Sequence, residues 1–306
     1  MIPRPMKGVA IDEDQFHLIR FPIYAAPKLD GFRCVLGKQP LTSRLTPFPN
    51  KAFVKELSGL LPEPLIDSEV VVGKRSGKGV LGRTSSGLTT RDGPLPDFTL
   101  WCFDTPQVGY VKRDRIALTQ QIVRDLGHPQ VRFLKHTLIA DRSHLDDYLD
   151  EHLSLQFEGI ILYGVNGHYK FGKGTLREQV MLKIKPFDTE EGRITGWFEE
   201  QENTNEAKRE ATGKLKRSSA KAGKRAKGTL GGFILRDCKT GVPVRVGGGF
   251  TKDQRENLWR MIQEGWDPTD ELVRYKKQRI GQKDKPRHPG FVDFVDFRPD
   301  WDMTDY

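Results

Sequence analysis

Two rhythms of hydrophobic and polar positions divide the chain near residue 187. From Ile23 to about Pro186, short β-rich runs alternate with stretches of helical spacing. Strands are predicted over Phe32 to Leu36, Leu65 to Val72, Phe98 to Phe103, Gly159 to Tyr163 and Val180 to Ile184, each bounded by Gly, Pro or Asp. Helices are predicted over Lys51 to Leu60, Lys112 to Leu126 and His144 to Leu155. In the second of these, Ile116, Leu118, Ile122, Val123 and Leu126 recur at near-helical spacing. No regular βαβ repeat is present, so the expected class is α+β and not a doubly wound sheet.

Beyond Asp188 the pattern changes to short strands, predicted over Gly192 to Phe198, Gly231 to Leu235, Pro243 to Val246 and Phe291 to Phe297, with one helix over Lys252 to Glu264. Such a set is compatible with a small barrel of the OB type, and pattern alone does not separate it from other small β folds. The expected division is therefore a first domain over 1–187 and a second over 188–306, the second interrupted by an insertion at 201–228. Between Lys208 and Lys227 the insertion holds nine Lys or Arg against one Glu, with Leu215 its one large apolar residue. It should not pack as core and is expected to form a loop or tail-like arm.

Length agrees with that division, since 306 residues suit about two domains. Fifty Lys plus Arg against 41 Asp plus Glu leave a formal charge of +9, which favours a polyanionic partner, nucleic acid first. Cys34, Cys102 and Cys238 are widely spaced, with no CxxC pair, so neither a disulfide framework nor a structural zinc is expected. No apolar run approaches the length needed to span a bilayer and the start lacks an apolar signal core, so an intracellular protein without membrane contact is expected.

Candidate chemistry starts at Lys28-Leu29-Asp30-Gly31-Phe32-Arg33, where a tight turn before a strand would present a lysine and an arginine together. A lysine acts as a nucleophile only through its neutral fraction, which burial or a neighbouring cation raises. Four further islands hold residue types suited to phosphoryl transfer. Asp67-Ser68-Glu69 and Glu158-Gly159 offer carboxylates for a hydrated Mg²⁺, Phe103-Asp104 an aromatic face, and Lys183-Ile184-Lys185 two cations on one face of a strand. Taken singly, each reads more readily as a surface lysine, a solvated acid, a core aromatic or a wet sheet face.

Taken in order, the islands resemble the motifs of the covalent nucleotidyltransferase superfamily, most closely those of small viral, bacteriophage-type ATP-dependent DNA ligases. The matching segments are KLDGFR at 28–33, SR at 43–44, DSE at 67–69, FD at 103–104, EGIIL from 158 and KIKP at 183–186, and the resemblance runs from Lys28 to about Arg298. It implies an N-terminal nucleotidyltransferase (adenylation) domain followed by a C-terminal OB-fold β-barrel. The implied reaction has three steps: lysyl-AMP formation at Lys28 with loss of pyrophosphate, transfer of AMP to the 5′-phosphate of a nick, and displacement of AMP by the 3′-hydroxyl. ATP and Mg²⁺ (or Mn²⁺) are the implied cofactors. Nicked double-stranded DNA is the implied partner, for a monomer working inside a cell, in the host cytoplasm if the source is viral.

Carried over residue by residue, the resemblance gives Arg33 and Arg44 to nucleotide or nick phosphates, Glu69 to the ribose or the metal, and Phe103 to the adenine face. It gives Glu158 to the metal, and Lys183 and Lys185 to the α-phosphate. Lys173 stands where close viral relatives carry an arginine, replacing a bidentate fork by a point charge. In small viral ligases an insertion at the place of the arm acts as a latch around the duplex. That role would fall to Lys208, Arg209, Lys214, Lys216, Arg217, Lys221, Lys224, Arg225 and Lys227.

Two departures stand out. Ala26-Pro27 occupies the place where the family often has, two residues before the nucleophile, a glutamate that reads the adenine amino group; a backbone carbonyl could substitute, and selectivity for ATP over GTP is then less strictly specified. The last motif, expected to end in an arginine eight residues after Arg287, has Val295 there, and the next arginine is Arg298. The alternatives are an RNA ligase, a GTP-dependent capping guanylyltransferase, and a non-catalytic basic OB-type nucleic-acid-binding protein. The glycine turns at 231–232 and 247–249 and the helix after them resemble the OB domain of viral DNA ligases and favour DNA.

Overall fold

A computed structural model describes residues 4–62, 66–107, 109–209, 215–282 and 285–296, with the side chains of 279–282 and 285 left aside. It contains two compact units, one of Met1–Pro186 grouped with Arg209–Leu215 and the other of Phe187–Lys208 with Lys216–Tyr306. Lys214 and Arg298 lie outside the described residues. Among the described residues, no helix is long and apolar enough to cross a membrane.

The first unit contains β1 (Val9–Ile11), β2 (Ile23–Pro27), β3 (Phe32–Leu36), β4 (Pro40–Thr42), α1 (Lys51–Leu57), β5 (Ile66–Val72), α2 (Val80–Thr89) and β6 (Phe98–Asp104). It continues with α3 (Lys112–Leu126), β7 (Val131–Phe133), β8 (Thr137–Ile139), α4 (Arg142–Ser154), β9 (Ile160–Gly164) and β10 (Leu182–Ile184). The strands form two five-stranded sheets, ordered β1-β10-β9-β2-β8 and β4-β3-β5-β6-β7.

Strand alternation explains where the polar residues go, because successive side chains point to opposite faces of a sheet. In the first sheet Ala25, Ile160, Leu162, Leu182 and Ile184 pack outward with Leu145, Tyr148 and Leu149 of α4. In the second, Cys34, Leu36, Ile66, Val70, Phe98, Leu100 and Cys102 pack with Phe53 and Leu57 of α1 and Leu88 of α2. The opposite parities share a third cluster, Ala26, Val71, Phe103, Tyr163 and Met181, with Trp101 and Ile161 packed against it. Residues of that same inner parity include Arg33, Asp67, Glu69 and Lys183.

The short glycines of the motifs have a steric reason. A Cβ on Gly31 would stand 2.3 Å from the Val70 carbonyl oxygen. One on Gly159, at φ +150, would stand 2.0 Å from that of Ile184, so the turns bearing Lys28 and Glu158 close onto neighbouring strands only without a side chain.

Helix α2 is absent from the sequence expectation, since VLGRTSSGLT is rich in Gly, Ser and Thr, which are weak helix formers. Helix α3 has the predicted bounds, but its first half buries Lys112, Arg115 and Thr119. The apolar stripe packs only in its second half, because the buried carboxylate of Asp104 draws the two cations inward.

After Pro186 the chain forms β11 (Phe187–Asn203), β12 (Ala207–Arg209), β13 (Leu215–Arg217), β14 (Lys224–Asp237), β15 (Pro243–Val246), α5 (Lys252–Gln263), β16 (Leu272–Gln282) and β17 (Lys285–Phe294). The five-stranded sheet of the second unit is ordered β15-β14-β11-β16-β17, and a bridge between Gly248, just past β15, and Gly290, within β17, links its two edges, as in a closed barrel. Phe233, Leu235, Val246, Leu258, Val273, Tyr275 and Phe291 fill its core. Strand β16 is absent from the expectation because its LVRYKKQRIGQ sequence hides two core residues, Val273 and Tyr275, among cations.

The arm is corrected as well. Where a loop is expected, β11 and β14 continue as a ribbon to the pair Asn203–Lys224, and β12 pairs with β13. Local hydrogen bonds supply what an apolar core does not: the Asn205 side-chain Nδ2 donates to the Ser218 and Ala220 carbonyls at 3.0 and 2.9 Å, and the backbone Thr204 N–H donates to the Gly223 carbonyl at 2.8 Å.

Candidate active site

The inner faces of the two sheets enclose a cavity of about 360 Å³, within the range of small-molecule sites. Its lining is split by chemistry. Leu29, Phe103, Leu134, Ile161, Tyr163 and Met181 supply apolar and aromatic walls, Lys7, Lys28, Arg33, Lys173 and Lys183 supply cations, and Glu69 supplies a carboxylate.

Lys28 follows the last residue of β2, and its N–H donates to the Gly159 carbonyl at 2.8 Å, which ties the lysine turn to the start of β9. Its ammonium is ion-paired with Glu158 Oε2, while the Nζ of Lys185 holds the other oxygen, Oε1, at 2.5 Å. Burial pushes the Glu158 carboxyl up, but the Lys28 and Lys185 ammoniums outweigh it and hold the group below its ordinary value. Lys183 points into the cavity from β10. Burial, with the like charges of Lys28, Lys185 and Arg33, lowers its pKa.

Glu69 has the opposite balance. Burial, joined by the charges of Glu158 and Asp67, exceeds the help of Lys28 and Arg33 and raises its pKa to about 7. Arg33 lies opposite Glu69 in the β3–β5 register, yet its fork is spent on Asp67, with Nε 2.7 Å from Oδ1 and Nη2 on Oδ2. Nη1 donates to the Met6 carbonyl at 2.5 Å, and the guanidinium carbon lies 5.3 Å from the Phe103 ring centroid. Tyr169 donates to the same Asp67 at 2.6 Å. Arg33 therefore offers the cavity charge and a planar face, with its forked donors already engaged.

Six of the residues singled out from sequence line the cavity: Lys28, Arg33, Glu69, Phe103, Lys173 and Lys183. Glu158 and Lys185 join them through the Lys28 ion pair. Arg44 does not; it is exposed in the turn after β4, where its N–H donates to Thr42 Oγ1 at 3.3 Å. In the second unit, Lys208, Arg209, Lys216, Arg217, Lys221, Lys224, Arg225 and Lys227 are all exposed along the ribbon, and Arg287 is half-buried on β17 opposite Gln278.

Sequence reasoning did not single out Lys7, which reaches the cavity because its N–H donates to the Gly172 carbonyl at 2.6 Å and it bridges Lys173. Nor did it single out the support behind the aromatic wall. Asp104, Lys112 and Arg115 are fully buried. Lys112 Nζ lies 3.1 Å from Asp104, donates to the Phe103 carbonyl at 2.7 Å and sits 4.0 Å from the Tyr163 ring centroid. The one signal in the sequence was Asp104 beside Phe103.

The donor set suits a hydrated divalent cation. Among the described residues no group of three or more His, Cys, Asp or Glu could hold a metal unaided. Glu69, half-buried on the cavity wall, offers with Glu158 the one or two carboxylates that Mg²⁺ needs when phosphates and water complete its shell.

Residues 222–294 match the family model described as DNA ligase OB-like domain. A search of the curated proteins found no match. Among solved structures, Chlorella virus DNA ligase-adenylate is 24% identical, with a TM-score of 0.54 over 98% of this chain and 100% of that one. A Lig E DNA ligase is 18% identical, with a TM-score of 0.68 over 94% and 99%. A structure named Pmar-Lig is 17% identical, with a TM-score of 0.73 over 96% of this chain and 68% of that one. The fold is thus shared with DNA ligases along nearly the whole chain, as the motif resemblance implies, and an OB-like domain stands at its C-terminal end.

Proposed function

We propose that the chain is an ATP-dependent DNA ligase that seals nicks bearing a 5′-phosphate and a 3′-hydroxyl, with Lys28 as nucleophile. The observation that carries this reading is the placement of Lys28 on a cation-rich cavity with one apolar, aromatic wall, its ammonium paired with Glu158. The apolar wall suits a purine, and the cations suit its phosphates.

In this reading Lys28, once it gives up a proton, forms a P–N bond to the α-phosphate while the bond to the β-phosphate oxygen breaks and pyrophosphate leaves. Lys183 and Lys185 compensate the charge that develops on the α-phosphate oxygens. Preorganised cations of this kind act without reorganising during the reaction. Phe103 and Tyr163 present ring faces to the base, and Ala26, two residues before Lys28, offers no side-chain acceptor to a purine amino group. Glu69 and Glu158 would hold Mg²⁺ or Mn²⁺, which supplies Lewis-acid polarisation and charge neutralisation when bound. The basic ribbon would contact the duplex backbone, and neutralised phosphates would release counterions.

Nicked duplexes with DNA or RNA on each side of the break, assayed with ATP or GTP, test the reading. Sealing of an all-DNA nick with ATP supports it. Preference for RNA strands identifies an RNA ligase, a GTP-only adduct identifies a guanylyltransferase, and no adduct with either nucleotide leaves a non-catalytic binding protein.

A further inference from the structure

From Val70 to Arg91 the chain has five cations, Lys74, Arg75, Lys78, Arg83 and Arg91, and no acid. Most of them sit on the turn that leads from β5 into α2, where Gly73, Gly77 and Gly79 all have positive φ. Lys74, Arg75, Lys78 and Arg83 are exposed. The turn is nevertheless held in one shape. Arg83 donates to the Lys78 and Lys74 carbonyls at 3.1 and 3.4 Å, and the Gly77 N–H donates to the Gln156 carbonyl at 3.0 Å.

Its location is set by Arg75, whose guanidinium carbon lies 5.2 Å from the Trp101 ring centroid and 5.5 Å from that of Phe157. Trp101 is the direct cross-strand partner of Glu69, and Phe157 immediately precedes Glu158. Arg75 therefore rests on the neighbours of both cavity carboxylates and holds a rigid, exposed, acid-free turn beside them.

From this arrangement we infer that the Gly73–Gly79 turn is a contact surface for the phosphate backbone of the duplex flanking the nick, on the Glu69 and Glu158 side of the cavity. The inference rests on the ligase reading above. A strand end bound at those carboxylates would have its neighbouring phosphates on the side where Arg75 anchors the turn. Lys74 and Lys78 would meet phosphates as exposed point charges, a contact that carries no sequence information.

The test is a Lys74→Gln/Lys78→Gln variant, which leaves Arg75 and Arg83 in place to hold the turn. Binding of a fluorescent nicked duplex is measured over a KCl series in EDTA, beside the parent, with ATP self-labelling as the internal reference. Loss of two phosphate contacts should lower the slope of log K against log salt by about 2. Weaker binding with that smaller slope and parental self-labelling supports the inference. An unchanged slope overturns it, and so does a parallel fall in self-labelling, which would assign the turn to the nucleotide. A parent that neither self-labels nor binds the nick contradicts the ligase reading itself.

Discussion

Lys28 and Glu158 are joined by an ion pair across the turn that begins β9, and the second oxygen of the carboxylate is held by Lys185 at 2.5 Å. The carboxylate thus positions two of the cations that the proposed chemistry uses. Glu158→Ala should reduce self-adenylation about 10²-fold to 10³-fold, and Lys183→Ala should do so by a similar factor through lost charge compensation. Single-turnover labelling at saturating ATP and Mg²⁺ measures both, and parental rates in either variant would misplace the site.

Glu69 gives the account a pH signature. Burial first, then the charges of Glu158 and Asp67, raise its pKa to about 7. The ordinary value for glutamate is about 4.3. Between these values the folded protein binds the proton and the unfolded chain does not, so this group's contribution to stability is full below the lower value. It is lost as pH rises through the folded one. The thermal midpoint should therefore show a downward component from about pH 4.5 to 7 that is absent in Glu69→Gln. If Glu69 holds the cation, Mg²⁺ should raise the midpoint more at pH 8 than at pH 6, and a pH-independent effect of Mg²⁺ would remove Glu69 from the metal site.

The thiols are predicted to be bystanders. Cys34 and Cys102 are buried, burial pushes both thiols well up, and Cys238 is exposed. Mass spectrometry after brief alkylation of the folded protein should find Cys238 alone modified, with self-adenylation retained. Modification of Cys34 or Cys102, or loss of labelling, would contradict this.

Elements with a clear period were legible from residues alone. Phe32–Leu36, Lys112–Leu126 and Pro243–Val246 have the bounds that alternation and helical spacing predict. Elements whose identity depends on partners far away were not. The glycine-rich α2 is stabilised by Val80, Thr84 and Leu88 packing inward, and β16 by two core residues between cations. At the site, strand parity explains why Lys183 lines the cavity while Ile184, its neighbour, lies in the outer core. Parity could not reveal Lys7 or Lys112, which arrive through a bridge to Lys173 and through the buried charge of Asp104.

The basic ribbon should separate binding from chemistry. Replacing Asn205 to Lys227 with a short Gly-Ser linker removes all nine cations between Lys208 and Lys227. Self-adenylation should be nearly unchanged, while nick binding weakens and its salt dependence flattens. Binding and sealing like the parent across a salt series would show that the ribbon makes no contact with DNA.

Incubation of parent and Lys28→Ala with radiolabelled ATP, followed by denaturing electrophoresis, decides whether Lys28 is the nucleophile. The parent should give a labelled band that survives SDS and the variant none, while the variant should still seal a nick already carrying a 5′-adenylate. A stable adenylate on the Lys28→Ala protein would contradict that assignment.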